Sequence, residues 1–181
     1  MNGKVNKRIN DIVYISIFAA ITAVCSLISM PFTIPFTLQT FAVFFTLFML
    51  GGRRGMCAIC AYICLGLAGL PVFSGFMGGF SVLFGATGGY IIGFFFAALI
   101  YWSFERFLGK SKSVMLVSAA LGLLVSYIVG SLWYAFVFMD STGNVGFTAA
   151  LLQCVAPFII PDILKIALAF FLQVRLKRFI K

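Results

Sequence analysis

Asp162 and Lys165 are the two residues whose types and spacing best suit chemistry. They stand one helical turn apart, inside a long apolar run near the C-terminus. Residues three apart on a helix share a face. An acceptor and a cation on one face can hold a small ligand that carries both N–H groups and an anionic group. Lys165 lies ten residues before Arg175, or about 15 Å along a helix, which is half of a hydrocarbon core about 30 Å thick. A charge at that depth costs about 2.5–3.5 kcal/mol on insertion scales, so a chain that carries two is expected to use them. A mutually neutralising pair that only staples helices together is the simpler alternative.

The elements that must position this pair follow from composition. Of 181 residues, 63% are hydrophobic and 9% charged, and the mean hydropathy is +1.16. Soluble domains are about 45–50% apolar and roughly 25% charged. The apolar runs are long and unalternating, which excludes a barrel. In lipid every backbone polar group must be paired inside the protein. The expectation is an all-α integral membrane protein, a single membrane domain over residues 1–181. Its helices are expected at about 10–28, 38–50, 56–69, 88–105, 113–138 and 148–179.

The net charge of +9 does not indicate nucleic acid, because of where the charges fall. Lys4, Lys7 and Arg8 form one cluster, and Arg53 and Arg54 another. Arg106, Lys110 and Lys112 form a third, and Arg175, Lys177, Arg178 and Lys181 the last. The intervening loops carry no Lys or Arg. By the positive-inside rule both termini face the cytoplasm, with anionic membrane lipid as the ordinary partner of the clusters. A charged start before an apolar run also fits a signal peptide, but no polar, cleavage-like segment follows.

The loops have their own signals. Pro31 and Pro35 exclude a regular helix between 29 and 38. The helix that follows is short for a span and is expected to borrow residues from that loop. Gly51-Gly52-Arg53-Arg54-Gly55 is expected to be a tight turn. The loop 70–87 is rich in Gly and Phe and uncharged, so it is expected to fold against the membrane or over a cavity. All five prolines lie toward the outer side. The inner half is therefore expected to be rigid and the outer half shaped, with Gln39, Tyr90 and further aromatics walling a site above Asp162 and Lys165. Gly85, Gly89 and Gly93 recur every four residues, as a close-packing helix face does. Ala19 and Ala23, with Ala20 beside them, form a second such face, for which packing inside the bundle is the simpler use.

Other chemistries are poorly served. Cys57, Cys60 and Cys64 share a helix face, but the chain has no His, and cysteine is a common small apolar filler. Gly85-Ala86-Thr87-Gly88-Gly89 lacks the Lys-Ser/Thr of a phosphate-binding loop. Only four acidic residues are present, and no nucleophile–base pair can be assembled.

Several segments, taken in order, resemble a known family. They are Thr37-Leu38-Gln39-Thr40-Phe41-Ala42-Val43, Leu50-Gly51-Gly52-Arg53-Arg54-Gly55, Gly66-Leu67-Ala68-Gly69-Leu70-Pro71-Val72-Phe73, Gly85 to Phe94, and Pro157…Pro161-Asp162-x-x-Lys165. Together they resemble the BioY family, the biotin-specific S components of energy-coupling-factor (ECF) transporters. The resemblance implies a six-helix S-component bundle in a prokaryotic cytoplasmic membrane. Such a subunit captures biotin from outside and needs no cofactor. It works with a transmembrane coupling protein and two cytoplasmic ATPases, and it is not itself an enzyme. Asp162 and Lys165 would then contact the ligand, and Ala19-x-x-x-Ala23 would dock the coupling protein. An S component for another vitamin, or a helical membrane protein without transport function, remains the alternative. Family members usually have Gly-Pro-Thr-Gly-Gly where this chain has Gly85-Ala86-Thr87-Gly88-Gly89. Some place further polar or basic contacts nearby, where this chain offers Ser74, Ser81, Thr87 and Tyr90.

Overall fold

The computed structural model describes residues 2–30, 34–138, 151–152 and 154–177, with side chains except at 2–6, 137 and 138. Asp140 and the polar loop around it, and the predicted helix start at 148, lie outside the described residues. The described chain is helical almost throughout. Four helical stretches are long and apolar enough to cross a bilayer: Lys7–Leu27, Gly88–Leu108, Lys112–Phe136 and Ala156–Leu176.

Helix α1 runs Asn2–Leu27. It begins eight residues before the expected start near 10, because nothing in the basic leader breaks a helix that projects beyond the apolar run. Between α1 and α2 the chain pairs with itself. Strands β1 (Ser29–Met30) and β2 (Phe36–Thr37) are antiparallel, with Ser29 opposite Thr37 and Met30 opposite Phe36. This ribbon satisfies backbone groups that a proline-bearing loop would leave unpaired.

Helix α2 (Gln39–Leu50) does not borrow from the loop. It is short because it is the central post of the bundle, packed by α1, α3 and the last helix. Its residues from Ala42 to Phe48 are all buried, so it is apolar all round as an enclosed helix should be.

Helix α3 (Gly52–Leu67) starts four residues before the expected 56. The turn before it is Gly51 alone, at φ +78°, and Gly52 to Gly55 form its first turn. The cause lies on another helix: the Glu105 carboxylate accepts the Gly52 N–H at 2.5 Å and caps the new N-terminus. A Cβ at Gly52 would stand 2.5 Å from the Trp102 Cα, so only glycine lets the two segments meet.

The loop after α3 folds inward, with a tight turn at Ser74–Phe76 and one helical turn, α4 (Ser81–Phe84). Phe73 is 2% exposed, and its ring occupies the space a side chain at Gly66 would need. Helix α5 (Gly88–Leu108) ends at Gly109, φ +83°, the usual glycine stop. Helix α6 (Lys112–Trp133) is capped by Ser111, which accepts the Val114 N–H at 3.2 Å. It passes into a widened turn at Tyr134–Phe138, so the helix expected over 113–138 is regular only to Trp133. Helices α5 and α6 meet through small residues: a Cβ on Gly89 would strike Trp133, one on Gly93 would strike Ser126, and Gly122 abuts Ala97. Gly85 is not part of this face. It precedes α5, and a Cβ there would approach only the Val82 carbonyl, at 3.3 Å.

The last predicted helix, 148–179, is not one helix. The chain turns at Val155, passes through a tight turn at Ala156–Phe158, and begins α7 at Ile159, which runs to Leu176. The prolines are the reason. Pro157 sits in the tight turn, and Pro161 falls in the first turn of α7, where a missing N–H needs no partner.

Candidate ligand site

The break before α7 sets the site. It places Asp162 in the first turn of that helix, where the positive end of the helix dipole favours an anion, and Lys165 one turn deeper. Both are buried, with 4% and 7% of their surface exposed. Lys165 Nζ lies 2.8 Å from Asp162 Oδ1. The other carboxylate oxygen, Oδ2, accepts the Tyr127 hydroxyl from α6 at 2.7 Å. The ammonium also stands 3.8 Å from the centroid of the Phe36 ring, a cation–π contact. Phe36 is presented by β2 and stacks on Phe158 from the turn before α7. Removing charges from water costs several kcal/mol each, which a close pair recovers only with its remaining lone pairs and protons satisfied. Here Tyr127 of α6 and the Phe36 face of β2 add one contact to each member of the α7 pair.

Asp162, Lys165, Tyr127 and Phe158 form part of the wall of a cavity of about 60 Å³, which Gln39 and Tyr90 also line. The structure thus brings together all four residues singled out as ligand contacts. Their roles differ. The Gln39 amide donates to Tyr62 Oη at 3.0 Å, and Tyr62 donates to the Val72 carbonyl at 3.2 Å. The same carbonyl accepts Ser26 from α1. This chain of bonds ties α1, α2 and α3 to the inward-folding loop. Tyr90 fits where Gly130 has no side chain, and its hydroxyl donates to the Cys154 carbonyl at 3.0 Å. It therefore offers the cavity a ring more than a polar group.

Sequence reasoning missed Tyr127 and Phe36. Tyr127 lies on an apolar helix with nothing local to mark it, and Phe36 is one of 23 phenylalanines. Ser74 was one of several polar residues available near the outer loop. It is 7% exposed, lines the cavity, and its hydroxyl has no hydrogen-bond partner among the described residues.

The small-residue face of α1 is divided. Ala19 is 2% exposed and packs in a cluster with Tyr62, Phe73, Val82 and Ile91; Ala23 is half-buried against it. Ala19, Thr22 and Ser26 turn inward, so Ala19 of the expected docking pair lies inside the bundle while Ala23 keeps part of its surface. Ala20 and Ser16 lie on the exposed side. The five cysteines are free, with no disulfide. Among the described residues no group of three or more His, Cys, Asp or Glu is placed to hold a metal ion.

Fold and site together define a helical membrane protein with a ligand cavity walled at the start of its last helix. A family model described as the BioY family matches residues 1–181. The chain is 41% identical over 140 residues to a probable biotin transporter BioY of Pyrococcus horikoshii, covering 77% of this chain and 78% of that one. It is 35% identical over 143 residues to the biotin transporter BioY of Thermotoga maritima, covering 78% and 79%. Its fold is similar to the crystal structure of the S component for biotin from an ECF-type ABC transporter. That match has a TM-score of 0.84 and 25% identity, over 96% of this chain and 93% of that one. The chain belongs to the BioY family.

Proposed function

We propose that this chain is the biotin-capturing S component of an ECF transporter. The observation that carries the reading is the buried Asp162–Lys165 pair, braced by Tyr127 in a cavity wall, in a member of the BioY family. Biotin suits these walls. Its ureido ring carries N–H donors for Asp162 and a carbonyl acceptor, its thioether ring suits Phe and Tyr faces, and its carboxylate suits a lysine. Gln39 and Tyr90 contribute to the same site, the first through its amide and the second through its ring.

The chain crosses the prokaryotic cytoplasmic membrane six times, α1, α2, α3, α5, α6 and α7 being the spans, with both termini inside as the basic clusters require. It is not an enzyme, and its uptake is powered by partners: a transmembrane coupling protein and two cytoplasmic ATPase subunits. The coupling protein docks on the exposed side of α1 around Ala20, with Ala23 at its edge and Ala19 supporting the helix from beneath.

Binding of labelled biotin to the purified protein tests this reading. Saturable binding is expected, with a loss of about tenfold or more in Asp162→Ala, since a hydrogen bond to a charged group contributes about 1.5–3 kcal/mol. Binding of another vitamin with none of biotin would overturn it.

A further inference from the structure

The end of the molecule away from the ligand cavity holds two adjoining hollows. The first, of about 260 Å³, lies among the ends of α2, α5 and α7 and the start of α6. Arg54, Lys110 and Lys177 reach it from three different parts of the chain, beside the half-buried apolar side chains of Met49, Leu50 and Val114. The second, of about 810 Å³, shares Gly51, Arg54, Glu105 and Lys110 with the first and adds Lys7, Arg8 and Arg53. Six basic side chains thus converge on two carboxylates, Asp11 and Glu105.

Those carboxylates are already engaged. Asp11 pairs with Arg54 at 2.7 Å. Glu105 holds Lys110 at 2.9 Å and the Gly52 N–H. Lys177 has no carboxylate partner among the described residues. Burial, and then the neighbouring charge of Lys110, push its pKa below the usual lysine value against a smaller opposing pull from Glu105, so an added anion would relieve repulsion there. The hollow lies where the candidate spans of α5 and α7 end and that of α6 begins, at the level of a bilayer interface.

We propose that the first hollow holds the phosphate head group of an anionic phospholipid, with the acyl chains leaving over Met49, Leu50 and Val114 into the bilayer. Cations beside apolar side chains fit an amphiphile; a free anion would leave those side chains unused. The cations of the second hollow add to the attraction. Clusters of this kind at a membrane surface attract acidic lipid. The inference goes beyond biotin capture and is independent of which vitamin the outer cavity takes.

Native mass spectrometry of the purified protein, exchanged into mixed micelles with phosphatidylglycerol or phosphatidylcholine, tests it. One phosphatidylglycerol should be retained under activation that strips phosphatidylcholine. Lys177→Gln should lower that retention about fivefold, and Lys177→Glu by about 25-fold, the size expected for one and two units of charge. Unchanged biotin binding reports that both variants are folded. Equal retention of the two lipids, or wild-type retention by Lys177→Glu, would overturn the proposal. Displacement of the lipid by millimolar inorganic phosphate would assign the hollow to a free anion and overturn it as well.

Discussion

Tyr127 and Asp162 are 35 positions apart in the chain, yet the hydroxyl of one donates to the carboxylate of the other at 2.7 Å. That bond ties α6 to the first turn of α7. It also occupies the carboxylate oxygen that Lys165 leaves. Replacing Tyr127 with Phe keeps the ring and removes the bond. Biotin affinity should fall about tenfold or more, as for loss of a hydrogen bond to a charged group, about 1.5–3 kcal/mol. Calorimetry on the purified variant checks this, and wild-type affinity would show that Tyr127 does not position Asp162.

Lys165→Met leaves a buried carboxylate without its counter-charge. Thermal unfolding in detergent should show a destabilisation of about 3–5 kcal/mol. The double variant Asp162→Asn with Lys165→Met removes both charges, and most of that stability should return. Biotin binding should stay lost in both. Recovery of binding in the double variant would make the pair a staple and nothing more.

Ser74 has a buried hydroxyl that no described group satisfies. Ser74→Ala should therefore leave the ligand-free protein as stable as wild type, or slightly more so. Biotin affinity should fall about fivefold to tenfold, the value of one ordinary hydrogen bond. Unaltered affinity would remove Ser74 from the ligand contacts.

The two alanines of α1 should separate by experiment. Ala20→Leu places bulk on the exposed side and should block co-purification with the coupling protein while biotin binding persists. Ala19→Leu forces volume into a cluster that already holds Tyr62 and Phe73, and should destabilise the fold by about 1–3 kcal/mol. Normal assembly by Ala20→Leu would place the docking surface elsewhere.

Glu105 joins two turns by accepting from Gly52 and Lys110. Glu105→Ala should fray the start of α3, and hydrogen exchange of the amides from Gly52 to Gly55 should quicken markedly. Protection equal to wild type would mean that the Glu105 cap does not hold α3.

Much of the architecture was legible because the bilayer constrains a chain so strongly. Apolar runs in a sequence with 9% charged residues leave helices as the economical way to pair every backbone group. The place of Asp162 and Lys165 one helical turn apart followed from their spacing, and both lie on α7. The helix ends were less legible where they depend on distant partners. Residues 52–55 looked like a turn until Glu105 capped them as helix. The final segment looked continuous until Pro157 and Pro161 were seen to begin α7 afresh.

The sequence by itself determined the class of protein and pointed to Asp162 and Lys165 as the residues around which a site would be built. Apolar length, charge placement and proline position act locally and can be read along the chain. Only the tertiary structure decided which side chains complete that site and which faces remain open. Tyr127 reaches Asp162, Phe36 lies under the Lys165 ammonium, Gln39 is engaged with Tyr62, and Ala19 is spent inside the bundle. Each of these depends on how helices are rotated and stacked. That arrangement is set by contacts such as Gly93 on Ser126, between residues far apart in sequence, and no local pattern records them.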